Sequence, residues 1–288
     1  MNQFFTLTKF GIVCFVLFTA AGGYLIGQPM HRAIDLPQFF IFLLGLYCLS
    51  SGSFTMNQWQ EREKDHLMDR TRKRPIPSGK VSPNLALATS LGLMTVGLVV
   101  LGSVSLKLVY LGVATVVMYN GLYTLWWKPT MAFAAVPGAL PGAMPFVFGY
   151  TAASGLVFTL ENFFFFMVMF LWQMPHFWAL ALKYQKDYAK ADFPVLPLVI
   201  GYNSTLYYIG LYTFAYLALA LTAPFFIEVG WLYFAIAMPF AFIVLLEFFR
   251  FVNDPDRKRW IQFFLWTTFS VLVFVLVPAV DRWSSWIF

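Results

Sequence analysis

The sequence predicts an all-α polytopic membrane protein, a bundle of nine transmembrane helices around a central cavity. Three observations predict it. Of the 288 residues, 60% are hydrophobic and only 11% are charged, too few polar side chains to cover a water-facing surface, so lipid is the solvent for most of the chain. Nine continuously apolar runs are each long enough to cross a bilayer core, which takes about 20 residues of helix. The basic residues, finally, fall almost entirely on one side of those runs.

The runs cover approximately 10–27, 37–56, 83–103, 107–127, 131–153, 161–182, 203–224, 229–249 and 260–280. In lipid the backbone must satisfy its own hydrogen bonds, and continuous rather than alternating apolarity selects helix over strand. The first run follows a single basic residue, Lys9, and the rest of the chain is as apolar, so it reads as a retained helix and not as a cleaved signal. The gaps leave no room for a second domain, and residues 1–288 form one transmembrane domain. With the N-terminus in the cytoplasm, that side holds Lys9, Arg62, Lys64, Arg70, Arg72, Lys73, Arg74, Lys80, Lys128, Lys183, Lys186, Lys190, Arg250, Arg257, Lys258 and Arg259. Only Arg32, Lys107 and Arg282 fall opposite. The net charge of +6 is therefore an orientation signal and not a sign of nucleic-acid binding. Cys14 and Cys48 lie in apolar runs without metal-ligand spacing. Pro137, Pro141 and Pro145 with Gly138 and Gly142 leave two readings of the fifth run, tight small-residue packing or a broken helix lining a cavity.

Two charged clusters interrupt this apolar pattern. The first, Asn57 to Gly79, continues the second run beyond the membrane. Asn57, Glu61 and Asp65 are spaced by four, so all three project from one helix face. Two carboxylates and an amide oxygen one turn apart are hard-oxygen ligands suited to Mg²⁺, which binds substrate phosphates alongside one or two carboxylates. Arg70, Arg72, Lys73 and Arg74 follow as phosphate-binding groups, and Pro75 and Pro77 turn the chain back. Alone, the segment reads equally well as a charged loop with helical ion pairs. The second cluster, 172–197, places His176, Lys183 and Asp187 at offsets of zero, seven and eleven, within about 20° on one stripe. An imidazole within an apolar run points to function, although an interior histidine satisfied by its neighbours fits as well. His31 and His66 are given no role.

Together the clusters resemble those of the UbiA superfamily of intramembrane prenyltransferases. Asn57-x-x-x-Glu61-x-x-x-Asp65 followed by Arg70-Thr71-x-x-Arg74-Pro75-x-Pro77-x-Gly79 is similar to that superfamily's first motif, with Glu61 in place of an aspartate. The stretch WQMPHFWALALKYQKDY over 172–188 resembles the heme O synthase branch, in which His176 and Lys183 replace aspartates and Asp187 keeps its carboxylate. Phe193-Pro194-Val195-Leu196-Pro197 resembles that branch's continuation, with Asp192 where it usually has glycine. Tyr123-Thr124 and Lys128 resemble a third conserved segment.

The resemblance implies farnesyl transfer from farnesyl diphosphate to a vinyl group of heme b, giving heme O. It implies Mg²⁺ at Asn57, Glu61, Asp65 and Asp187, a diphosphate clamp of Arg70, Arg74, Lys128 and Lys183, and a heme site at His176. A bacterial inner-membrane location is expected because the N-terminus does not resemble an Arg-rich transit peptide. A prenyltransferase for an aromatic quinone precursor is the near rival, against which the His176-Phe177-Trp178 stretch speaks. A transporter is the remote one, although both clusters sit at helix ends and not at the bilayer midplane.

Overall fold

The computed structural model describes residues 3–30, 32–256 and 258–287; His31 and Arg257 lie outside the described residues. Among these residues every regular element is helical. The long helices are α1 (Phe10–Gly27), α2 (Leu36–Gln60), α3 (Pro83–Val104), α4 (Leu106–Thr130), α5 (Ala135–Ser154), α6 (Leu160–Lys183), α7 (Tyr202–Leu221), α8 (Trp231–Val252) and α9 (Trp260–Ile287). Short helices at Gln3–Leu7, Arg62–Leu67, Gln185–Lys190 and Leu196–Val199 lie between or before them. Several long helices begin where a side-chain oxygen caps the free backbone N–H groups: Asp35 before α2, Ser82 before α3 and Thr159 before α6.

Eight of these helices are apolar and long enough to cross a membrane. The ninth, α5, falls short in hydropathy because it carries Pro141 and Pro145 and several small residues, yet it is the element most enclosed by its neighbours. Packed against α1 and α6, it meets protein where the outer helices meet lipid. It runs unbroken from Ala135 to Ser154 through both prolines, so of the two readings of this run, small-residue packing describes it. At Gly149 a β-carbon would lie 1.8 Å from the Ala20 carbonyl oxygen of α1; only glycine permits that approach. Outward-facing Phe40, Val99, Tyr110 and Phe242 are more than half exposed, an apolar surface of the kind lipid covers.

Helix α4 departs from regular geometry. Its middle, Val117–Trp127, is wound as a π-helix, and the Lys128 amide donates to the carbonyl five residues back, on Tyr123. Such windings concentrate at functional sites. This one turns buried Asn120 and Thr124 toward α2, where Asn120 Nδ2 donates to the Ser53 carbonyl at 2.9 Å and Gln60 Nε2 donates back to the Asn120 carbonyl at 2.9 Å.

Candidate active site

The α2 end and its continuation place three oxygen-bearing residues one turn apart. The backbone flattens at Glu61 (φ −93°, ψ 4°), but the four-residue hydrogen bonds run on: Glu61 N–H donates to Asn57 O at 3.0 Å and Asp65 N–H to Glu61 O at 2.7 Å. Asn57, Glu61 and Asp65 thus keep a common face, and all three are buried.

Each faces a cation. Lys9 Nζ donates to Asn57 Oδ1 at 2.8 Å, Lys128 Nζ to Glu61 Oε1 at 2.5 Å, and Arg74 Nη1 to Asp65 Oδ2 at 2.6 Å. Asn57 Nδ2 donates to Thr124 Oγ1 at 3.2 Å, which turns the amide oxygen toward the site. Burial pushes the Glu61 carboxyl up, but the charges of Lys128, Lys9 and Arg74 outweigh it and hold that group below the usual carboxylate range. Loss of hydration, with Arg74 and Lys128 adding repulsion, lowers Lys9 to about 7.

The second cluster closes over the first. Asp187 Oδ2 accepts from the Arg70 backbone N–H at 3.1 Å, and Lys190 Nζ pairs with Asp69 Oδ2 at 2.5 Å. Met68 packs with Ala191 and Phe193 beneath these contacts. The Phe193 ring carries two ammonium groups, Lys64 at 4.2 Å and Lys128 at 4.6 Å from its centroid. The Arg70 guanidinium lies over Tyr184 and Tyr188 at 5.2 and 5.8 Å. Asp192, where the resembling branch usually has glycine, has φ +51°. That left-handed conformation is what glycine adopts freely, and Asp is among the few other residues that tolerate it.

The structure therefore brings together Asn57, Glu61, Asp65, Arg70, Arg74, Lys128 and Asp187. Two expected residues lie elsewhere. Lys183 is exposed, with its Nζ 5.5 Å from the Trp260 ring centroid, and among the described residues it makes no salt bridge with Asp187. The cause is a break at Tyr184 (φ −105°, ψ 22°), which ends α6 and swings Asp187 away from the stripe that His176 and Lys183 share. His176 is half-buried within α6. Its ring stacks on Phe264 with centroids 4.1 Å apart, and Nδ1 lies 3.1 Å from Thr268 Oγ1. Sequence reasoning missed Lys9 as a site residue and singled out Thr124 only within the third resembling segment, without a role: their partner Asn57 is 48 and 67 positions away.

The site has the character of a cation and anion binding centre. Asp65 Oδ1 is buried without a hydrogen-bond partner, an unsatisfied carboxylate oxygen of the kind a hard cation satisfies. Asn57 and Glu61 share its helix face, and Asp187 lies against the Arg70 backbone; their oxygens are of the type a divalent ion prefers, although among the described residues no three Asp, Glu, His or Cys side chains converge closely enough to hold an ion as they stand. Lys9, Lys128, Arg70 and Arg74 offer the complementary charge for an anion.

The model of the UbiA prenyltransferase family matches residues 15–273. A protein of Bdellovibrio bacteriovorus named protoheme IX farnesyltransferase is 45% identical over 278 residues, covering 96% of this chain and 95% of its own. A solved structure of digeranylgeranylglyceryl phosphate synthase superposes with a TM-score of 0.78 at 16% identity, over 98% of each chain. A UbiA homologue from Archaeoglobus fulgidus, bound to DMAPP and Mg²⁺, superposes with a TM-score of 0.68 at 16% identity, over 96% of this chain and 99% of that one. These two share the fold. A family match across most of the chain and a near-full-length relative at 45% identity set aside the transporter reading: the chain is a multi-pass membrane protein that belongs to the UbiA prenyltransferase family and, within it, to the group of the protoheme IX farnesyltransferases.

Proposed function

We propose that this single transmembrane domain transfers the farnesyl group of farnesyl diphosphate to a vinyl group of heme b, making heme O and diphosphate in the inner membrane of a bacterium, with the N-terminus in the cytoplasm. The observation that carries the donor half is the buried row Asn57, Glu61 and Asp65, with a spare Asp65 oxygen and a cation at each position. The acceptor half rests on the kinship with protoheme IX farnesyltransferases and on His176.

Asn57, Glu61, Asp65 and Asp187 would hold a divalent ion, Mg²⁺ in this reading. When bound, it supplies Lewis-acid neutralisation of the diphosphate. The homologue bound to DMAPP and Mg²⁺ supports that choice. Lys9, Lys128, Arg70 and Arg74 bind the diphosphate oxygens; the first two and Arg74 exchange their present oxygen partners for phosphate. The allylic C–O bond breaks with its electron pair on the diphosphate. Beside the acidic row stand Phe54, Tyr119 and Tyr123, the first pair edge to face at 5.7 Å and the second stacked at 5.9 Å. Their ring faces stabilise the allylic cation and keep water from it. The vinyl π electrons form the new C–C bond, and water takes up the remaining positive carbon, losing a proton to leave a hydroxyethylfarnesyl side chain. His176 holds the acceptor. Thr268 Oγ1 donates to the Phe264 carbonyl at 2.7 Å, so it accepts from His176 Nδ1–H, and Nε2 remains the basic nitrogen that binds heme iron.

The test is direct: the protein in detergent with heme b, farnesyl diphosphate and Mg²⁺ is expected to yield a hydroxyethylfarnesyl heme by mass spectrometry, and none after EDTA. Farnesyl diphosphate binding without a heme product would move the acceptor to an aromatic quinone precursor.

A further inference from the structure

A continuous seam of side chains runs between α6 and α9. On α6 it presents Trp172, His176 and Lys183, and on α9 Trp260, Phe264 and Thr268. The contacts follow one another along it: Trp172 to His176 at 4.8 Å, His176 to Phe264 at 4.1 Å, Phe264 to Trp260 at 6.0 Å, and Lys183 Nζ over Trp260 at 5.5 Å. Seven residues of helix separate His176 from Lys183, a rise of about 10 Å with a turn of only about 20°. The seam therefore has an imidazole about two turns inside α6, an aromatic wall of inclined rings, and an ammonium at the helix end. Beside Lys183 lies a cavity of about 170 Å³ lined by Leu182, Lys183, Gln185, Tyr202, Phe251 and Trp260.

We infer that Lys183 binds an acidic side group of the acceptor porphyrin, with Gln185 beside it, while His176 takes the iron. This deepens the heme-acceptor reading and rests on it. Heme b is a flat aromatic disc with an iron at its centre and two carboxylates on one edge. A disc lying along the seam would put its ring against Trp260 and Phe264 and its carboxylate edge at the rim. Among the described residues no carboxylate lies within salt-bridge distance of Lys183, in contrast to Lys128, which is committed to Glu61. A lysine at a helix end can also serve only to reach the membrane surface; that alternative gives Lys183 no preference among acceptors.

The experiment is a titration of the detergent-solubilised full chain with hemin and with hemin dimethyl ester, read by the Soret shift. Hemin is expected to bind about three- to fivefold more tightly than the diester, the range of one partly exposed ion pair. Lys183→Gln is expected to abolish that preference and Lys183→Arg to keep it, while all three bind farnesyl diphosphate equally. Equal affinity of the unaltered chain for both porphyrins, or a preference that survives in Lys183→Gln, overturns the inference. No Soret shift with either porphyrin in a chain that still binds farnesyl diphosphate would overturn the heme-acceptor reading itself.

Discussion

The α2 end and the α6–α9 seam are both polar intrusions into an apolar bundle, yet they are built in opposite ways. At the α2 end each oxygen of the row meets a cation: Glu61 with Lys128, Asp65 with Arg74, and the Asn57 amide oxygen with Lys9. In the seam one imidazole sits among rings, with one ammonium at the edge. Buried ion pairs seldom repay their desolvation in stability. On the proposed reading, three cations set against two buried carboxylates and an amide oxygen are charges held ready for a metal and an anion. The seam, by contrast, offers aromatic area and a single imidazole, which on the proposed reading recognise a porphyrin. On that reading, donor and acceptor are bound by separate elements using separate physics.

Substitutions that break one region should therefore spare the other. The largest effect is expected from Asp65→Ala, which removes the oxygen with no partner and strands Arg74: turnover should fall by about 10²–10³ in a chain still inserted in the membrane, measured by product formation in purified protein. His176→Ala should lower heme affinity by about tenfold or more and leave farnesyl diphosphate binding within about twofold, by Soret titration against calorimetry. Lys9→Gln should weaken farnesyl diphosphate about tenfold, the scale of one charge-assisted hydrogen bond, with Lys9→Arg recovering part of it; unchanged affinity in Lys9→Gln would remove Lys9 from the clamp. The smallest change belongs to Asp192→Gly, which fits the φ of +51° and should alter thermal stability by less than about 1 kcal/mol, whereas Asp192→Val should lower it by about 1–2 kcal/mol.

How far the sequence reveals this division differs by residue. Helix positions follow from apolarity and length because lipid leaves the backbone no alternative. Helix α5 is the exception in hydropathy, since a helix surrounded by protein can carry Pro141, Pro145 and close-packed glycine. Asn57, Glu61 and Asp65 are legible because a spacing of four survives the flattening at Glu61. The stripe of His176, Lys183 and Asp187 is only half right, because the break at Tyr184 is not encoded in the spacing. Lys9 and Thr124 enter through tertiary contacts, Thr124 from a π-wound segment that no periodicity marks. The glycine-like backbone at Asp192 shows only in the fold, although the departure from the branch's pattern marks the position.

One paired measurement tests the separation most directly: farnesyl diphosphate and heme affinities for Asp65→Ala and His176→Ala in identical detergent preparations. The account predicts a crossed result, with Asp65→Ala losing Mg²⁺-dependent farnesyl diphosphate binding while keeping heme, and His176→Ala doing the reverse. Loss of both ligands in both variants, with the fold intact, would contradict it.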